Sequence, residues 1–199
     1  MIRRSEALQA FVDAAFVAFD QFAQVPQSRR SVRQIYDALE VPGVERQAPG
    51  NRLPVCSHLE TALAVETEHD SLHRLVDRFK AIEPLLEWRR RTNDNSASDN
   101  FADGHANAMI VGPGGLEDRR DLWFGVTVMA PNVRYPDHDH APEENYLVLS
   151  DGEFRQGEAA WFSPGIGGSF YNPPGIKHAM RSLDTPLFAF WALLPAMSE

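Results

Sequence analysis

The chain has 199 residues, 43% of them hydrophobic and 24% charged, and 19 basic side chains against 28 acidic ones give a formal net charge of −9. That length suits one large domain or a small domain with an attached subdomain, and it is too short for a (β/α)8 barrel of about 250 residues. The acidity, with a pI near 5.2, argues against nucleic acid as a partner, which calls for a basic face to displace counterions from phosphates, and against an anionic membrane surface.

The N-terminal MIRRSEALQAFVDAAF sets two arginines before an apolar stretch, but Glu6, Gln9 and Asp13 interrupt it, so it is not read as a signal peptide. Leu8, Phe11, Val12, Ala15, Phe16, Phe19 and Phe22 then recur at three- and four-residue steps, which predicts a helix from about Arg4 to Gln24, ended by Pro26. Ser31 is the expected cap of a second short helix carrying Val32, Ile35, Tyr36 and Leu39, closed by Pro42-Gly43. The stretch from Glu45 to Pro54 reads as loop. The lone cysteine, Cys56, can form no intramolecular disulfide and no Cys-rich zinc site, which suits a reducing, cytoplasmic location. From His58 to Arg91 the pattern is helical again, with Leu72, Leu75, Val76, Phe79, Ile82 and Leu86 on one side and a kink or split expected at Pro84. His69 and His73 on that helix lack the intervening Glu and the third ligand of a zinc motif and read as a solvated face. Arg89, Arg90 and Arg91 read as cations complementing a helix end.

Residues 92–105 (TNDNSASDNFADGH) are polar and aperiodic, a loop or linker between two differently built halves. From Ala106 the texture changes to short apolar runs, AMIVG, LWFGVTVM, NYLVL, EAAWF, GSFYN and LFAFWALL, separated by Gly and Pro turns. Such runs predict a small sandwich or barrel. No window approaches about 18 consecutive apolar residues, the length of a transmembrane helix.

The chemistry-bearing residues lie in this second half. In YPDHDHAPEENY, His138 and His140 are two apart, which places them on one face of a strand, and Glu144 follows four residues later. Downstream, Gly167, Pro173, Gly175 and His178 lead through a turn into a strand that presents a further imidazole. Three imidazoles and a carboxylate suit one divalent first-row metal ion with a position open to substrate; zinc, iron(II) and manganese all fit such donors.

These two segments resemble the paired motifs of the cupin superfamily, H-x-H-x3-E and P-x-G-x-x-H. The glycine that usually ends the first motif is displaced to Gly152 and Ser182 stands where Asn is common in the second, and neither departure touches a ligand. The order Tyr135, His138, His140, Glu144, Tyr146, His178, behind a helical N-terminal half, resembles the cupin-type dimethylsulfoniopropionate (DMSP) lyases. The resemblance implies an α+β fold with a C-terminal double-stranded β-helix (a jelly-roll barrel) over residues 106–199, a helical region over 1–91 packed against it, and a connection over 92–105. It further implies a metal-dependent carbon–sulfur lyase that cleaves DMSP to dimethyl sulfide and acrylate by β-elimination, with His138, His140, Glu144 and His178 at the metal. Tyr146 would be the general base and Tyr135 would orient the substrate or assist with the proton.

The expected ligand is thus a small zwitterion, with no nucleic acid or membrane involved and a homodimer compatible with the fold. Trp123, Phe124, Trp161, Phe170, Tyr171 and Trp191 form a pool from which a wall for the sulfonium could come, most of them serving as packing. Two other readings stay open: another cupin metalloenzyme, an iron-dependent dioxygenase, and a non-catalytic small-molecule-binding cupin.

Overall fold

The computed structural model describes residues 3–91 and 96–195. The first residues of the expected linker, 92–95, and the last four of the expected barrel span lie outside them. The first helix, α1 (Glu6–Phe22), starts where the Ser5 hydroxyl accepts the Leu8 N–H at 3.3 Å. The second, α2 (Pro26–Leu39), starts earlier than its sequence pattern suggests. Pro26 opens this helix instead of ending α1, because a first-turn position needs no N–H and favours the fixed proline φ. Ser31 is consequently no cap; it is fully buried within α2 and its hydroxyl accepts from Nδ2 of Asn145 at 2.8 Å.

The long helix expected from His58 to Arg91 is divided. A 3-10 turn (Pro54–His58) runs into α3 (Leu59–Ala62), an extended stretch follows, and α4 (Asp70–Ile82) carries the apolar face. Pro84 then ends the helical run in a 3-10 turn (Glu83–Leu85), and Trp88–Arg89 turn out to be a strand, β2, after the short β1 (Val44–Glu45). The three arginines are therefore not at a helix end. Within the span read as a connection, Phe101–Gly104 form a helical turn, α5, and Phe101 is fully buried.

The remaining strands are β3 (His105–Val111), β4 (Glu117–Asp118), β5 (Trp123–Met129), β6 (Glu143–Val148), β7 (Glu153–Gln156), β8 (Ser169–Asn172), β9 (His178–Arg181) and β10 (Leu187–Leu194). EAAWF is no strand, and the preceding EFRQ forms β7 in its place, with Phe162 joined to Phe154 by a lone bridge. One sheet has the order β1-β4-β3-β5-β10-β6-β8, with β2 paired to β3; β7 and β9 form a second. Bridges from Arg134 to Arg181 and from His138 to His178 lay the irregular 134–138 segment along β9. The result is the expected α+β architecture, a cupin barrel with its helices at the N-terminal side.

Alternation along the strands separates two apolar layers. Ala106, Ala108, Phe124, Val126, Phe188 and Phe190 face outward and pack with Phe11, Phe19 and Phe79 of α1 and α4 in one continuous core. Met129, Tyr135, Tyr146, Phe154, Met180 and Ala189 form the inner cluster. The helices thus close one face of the large sheet and leave the other to line a cavity. The N-terminus is fastened by Arg4, whose guanidinium pairs with the fully buried Glu117, while the Gly43 N–H donates to the same carboxylate at 2.8 Å. Burial pushes the Glu117 carboxyl up, and Arg4, the Gly43 N–H and Arg119 more than offset this, leaving its pKa below the ordinary 4.5.

A carboxyl with a lowered folded-state pKa contributes stability that is present above its unfolded pKa and is lost as pH falls through the folded one. Glu117→Gln is therefore expected to cost about 3 kcal/mol at neutral pH, the scale of breaking a buried pair. The difference from the native chain should shrink in denaturation curves taken below pH 4.

Candidate metal centre and active site

The carboxylate of Glu144 is the hub of the cavity. It lies near the start of β6, 3% exposed, where its register partners are Asn172 on β8 and Leu193 on β10. Its Oε2 is 3.3 Å from Nε2 of His140 and 3.2 Å from Nε2 of His178, and it accepts from Nδ2 of Asn172 at 2.9 Å. Ligand atoms of His140, Glu144 and His178 all lie within 4.8 Å of one another, a spacing that could hold a metal ion.

The imidazoles are oriented from behind. Nδ1 of His140 donates to the Pro142 carbonyl at 2.8 Å, Nδ1 of His178 to Ile176 at 3.0 Å and Nδ1 of His138 to Pro136 at 2.9 Å. A ring whose Nδ1–H is committed to a carbonyl carries its lone pair on Nε2, the tautomer a metal requires. The buried Nε2 of His178 has no hydrogen-bond partner among the described residues, although it points at Glu144. An unpartnered imidazole nitrogen beside an ionised carboxylate is costly in a protein interior, and a cation between them removes that cost. The donor set therefore fits a divalent first-row ion.

His138 stands apart from the other three. Its ring packs on that of His178 with centroids 4.1 Å apart, but it lies outside the cluster of converging ligand atoms. Burial, then the facing His178, push its pKa down to about 3, so it is a neutral imidazole. The expectation of a regular strand through His138 and His140 fails, since both lie in the irregular segment before β6. Pro136 and Pro142 bracket this segment and have no N–H to give a ladder; His138 meets β9 in an isolated bridge with His178, and local turns onto the proline carbonyls aim the rings of His138 and His140. The second motif behaves as read: Gly175, at φ 71°, makes the turn, its N–H donates to the His140 carbonyl at 2.9 Å, and His178 opens β9.

Charge is shared unevenly across the cluster. Burial raises the pKa of Glu144, and the His140 and His178 rings overcome it, bringing the carboxyl down to about 2. Burial lowers His140, whereas its bond to Glu144 raises it more. Tyr146 shares the inward face of β6 with Glu144; it is 3% exposed, stacked on Phe170 with centroids 5.0 Å apart. Burial first, then the Glu144 charge, hold its phenol well above the ordinary pKa. Tyr135 is raised by burial as well, but here the Arg91 guanidinium and the Asn107 amide pull the other way.

A cavity of about 340 Å3 opens onto these groups, lined by Tyr135, His138, His140, Glu144 and Tyr146 together with residues the sequence reading left aside. Arg89, Arg90 and Arg91 form part of its wall, as do Asn107 and Thr127. Arg91 reaches over the Tyr135 ring at 5.8 Å, and its backbone N–H is held by Nε2 of the buried His105 at 2.8 Å. Of the aromatic pool, Trp123 and Trp191 line the cavity. Phe170 backs Tyr146, Phe124 is packed under α1, and Trp161 sits among Arg134, Arg155 and Arg181. His69 and His73 are exposed, in keeping with the solvated face read for them.

A small antiparallel barrel that gathers histidines and a carboxylate on its inner face belongs to the cupin class. Within that class the chain belongs to the DMSP lyase family, whose pattern it matches over residues 27–189. It is 30% identical over 114 residues to dimethylsulfoniopropionate lyase DddQ of Ruegeria pomeroyi, a match that takes in 57% of each chain and so spans little more than half of that relative. Among solved structures, one from the crystallography of the DMSP lyases RdDddP and RnDddQII superposes with a TM-score of 0.73 at 25% identity, covering 97% of this chain and 98% of that one. DddQ from Ruegeria pomeroyi superposes with a TM-score of 0.71 at 22% identity, over 98% and 95% of the two chains, and this likeness speaks for the fold. No helix among the described residues is long and apolar enough to cross a membrane.

Proposed function

We propose that the protein is a metal-dependent carbon–sulfur lyase that cleaves DMSP to dimethyl sulfide and acrylate. The observation that carries this reading is the convergence of His140, Glu144 and His178 beside Tyr146 in a cavity small enough for one compact zwitterion. Family membership narrows the chemistry to this elimination. The barrel from about residue 106 holds the site in this reading, residues 1–91 cover it, and 92–105 connect the two. The reading places the protein in the cytoplasm, which its single, free and buried Cys56 suits.

His140, Glu144 and His178 would hold the ion, with His138 as the neutral imidazole beside them. A divalent ion such as zinc, iron(II) or manganese would supply positive charge that acidifies the carbon next to a bound carboxylate and offsets Glu144 enough to favour the Tyr146 phenolate. Tyr146 takes the α-proton onto its phenolic oxygen. The C–H pair becomes the new π bond, the C–S bond breaks, and its pair leaves on sulfur as neutral dimethyl sulfide. The proton on Tyr146 then passes to water and the base is restored. Tyr135, held across the cavity, orients the substrate, and the faces of Trp123 and Trp191 are available to the sulfonium.

The test is product analysis of metal-loaded protein supplied with DMSP, run in an oxygen electrode. Equimolar dimethyl sulfide and acrylate with a flat oxygen trace are expected; oxygen uptake coupled to substrate loss would instead assign the centre to dioxygenase chemistry.

A further inference from the structure

Beside Tyr135 a row of hydrogen-bonded side chains runs along the cavity wall, with Thr127 buried and Asn107 and Trp191 half-buried. Trp191 on β10, Thr127 on β5 and Asn107 on β3 are neighbours across the inner face of the sheet. Nε1 of Trp191 donates to Thr127 Oγ1 at 3.1 Å, Thr127 Oγ1 to Asn107 Oδ1 at 2.6 Å, and Asn107 Nδ2 to the Tyr135 hydroxyl at 2.8 Å. The row depends on Gly125, the register partner of Trp191. A Cβ there would lie 2.3 Å from the indole, so glycine lets the ring lie across β5 and reach Thr127 two residues along.

The direction of every bond follows from the first. An indole N–H can only donate, so the Thr127 oxygen accepts from Trp191. Thr127 is 1% exposed, and Asn107 Oδ1 is the acceptor its own proton meets among the described residues. A buried hydroxyl proton left without an acceptor is disfavoured, so the amide is fixed with its oxygen towards Thr127 and its nitrogen towards Tyr135. The Tyr135 oxygen therefore accepts from the network, and its own proton is left for the cavity that it lines with Glu144 and Tyr146.

We propose that Asn107, locked by Thr127 and Trp191, is a positioning residue that keeps Tyr135 a hydrogen-bond donor to the substrate carboxylate. The proposal takes the substrate's carboxylate from the lyase reading above. A phenol that accepts one hydrogen bond donates the next more strongly, because linked hydrogen bonds polarise one another. As the α-carbon loses its proton, negative charge spreads onto the carboxylate, and a donor already aimed there stabilises it without reorganisation.

The discriminating variant is Asn107→Asp, the same shape with acceptors on both oxygens. Thr127 still donates to one; the other draws the Tyr135 proton out of the cavity. In metal-loaded protein, propionate, which has the substrate's carboxylate without its sulfonium, is expected to bind about tenfold more weakly, the scale of one lost hydrogen bond. The rate constant kcat with DMSP is expected to fall about 100-fold with a smaller change in KM, as for an oxyanion donor. Tyr135→Phe should give the same two losses, and adding Asn107→Asp to it should cost less than about twofold more. Thr127→Val removes the lock without placing a charge in the interior, and about a threefold weakening of propionate binding is expected from it, a fraction of a full hydrogen bond. Losses at Asn107 and Tyr135 that multiply, or propionate bound normally by both Asn107→Asp and Thr127→Val while Tyr135→Phe weakens it, would overturn the proposal. If the native protein releases no dimethyl sulfide, the lyase reading falls, while the coupling in propionate binding still decides the role of Asn107.

Discussion

Tyr146→Phe is expected to lower dimethyl sulfide release by about a thousandfold, the scale of a lost general base, with metal content and folding unchanged. The ring itself is a packing element, stacked on Phe170 and 5.5 Å from Phe154, and phenylalanine preserves both contacts. Removing the hydroxyl does not strand Glu144, whose carboxylate keeps His140 and Asn172 as partners. What disappears is the oxygen that shares the inward face of β6 with Glu144 and that would accept the α-proton. A variant that keeps a tenth or more of the native rate at equal metal occupancy would remove Tyr146 from that role.

The second large effect is expected at Glu144. Glu144→Gln is nearly isosteric, but it exchanges an ionised acceptor for a neutral amide at the point where two imidazoles and the Asn172 amide converge. An amide nitrogen turned towards His178 or His140 opposes a cation, and an amide oxygen offers no net charge to it. Metal affinity is expected to drop by more than about 100-fold, beyond the roughly 10- to 100-fold cost of losing an outer partner, and activity should fall with occupancy. Measured as metal per chain after gel filtration, a stoichiometric ion in Glu144→Gln protein would show that the carboxylate is no ligand.

The residues of the centre were legible because most of their arrangement is local. His140 and Glu144 lie within five residues, and the P-x-G-x-x-H turn announces His178 by itself; His138, read with them, stands outside the converging ligand atoms. The reason they converge was less legible. Parity along a strand suggested it, whereas His138 holds only an isolated bridge to His178, His140 lies in irregular chain, and contacts to the carbonyls of Pro136 and Pro142 aim the two rings. The outer helices could be read from their periodicity, but their ends depended on tertiary facts: Pro26 opens α2 because α1 already stops at Phe22, and Trp88 pairs with Ala108 instead of extending a helix.

Arg91, Asn107 and Thr127 were missed for a related reason. Each is a single polar residue whose meaning comes from strands far away in sequence, Arg91 through His105 and Tyr135, Asn107 through its register with Thr127. A signal was present: Asn107 and Thr127 each interrupt an apolar run at an alternate position, which on a strand marks a polar spot on an otherwise apolar face. Net charge −9 said nothing of these cationic and amide groups, since a few basic residues at one rim can set the local field in an acidic chain.

The central claim is tested most directly by headspace detection of dimethyl sulfide after DMSP is added to the protein, loaded in parallel with zinc, iron(II) or manganese and compared with chelated protein. Rapid sulfide release by at least one metal-loaded form, lost on chelation and regained on adding the ion back, is the expected result. No release above the spontaneous rate from any fully loaded, folded form would contradict it.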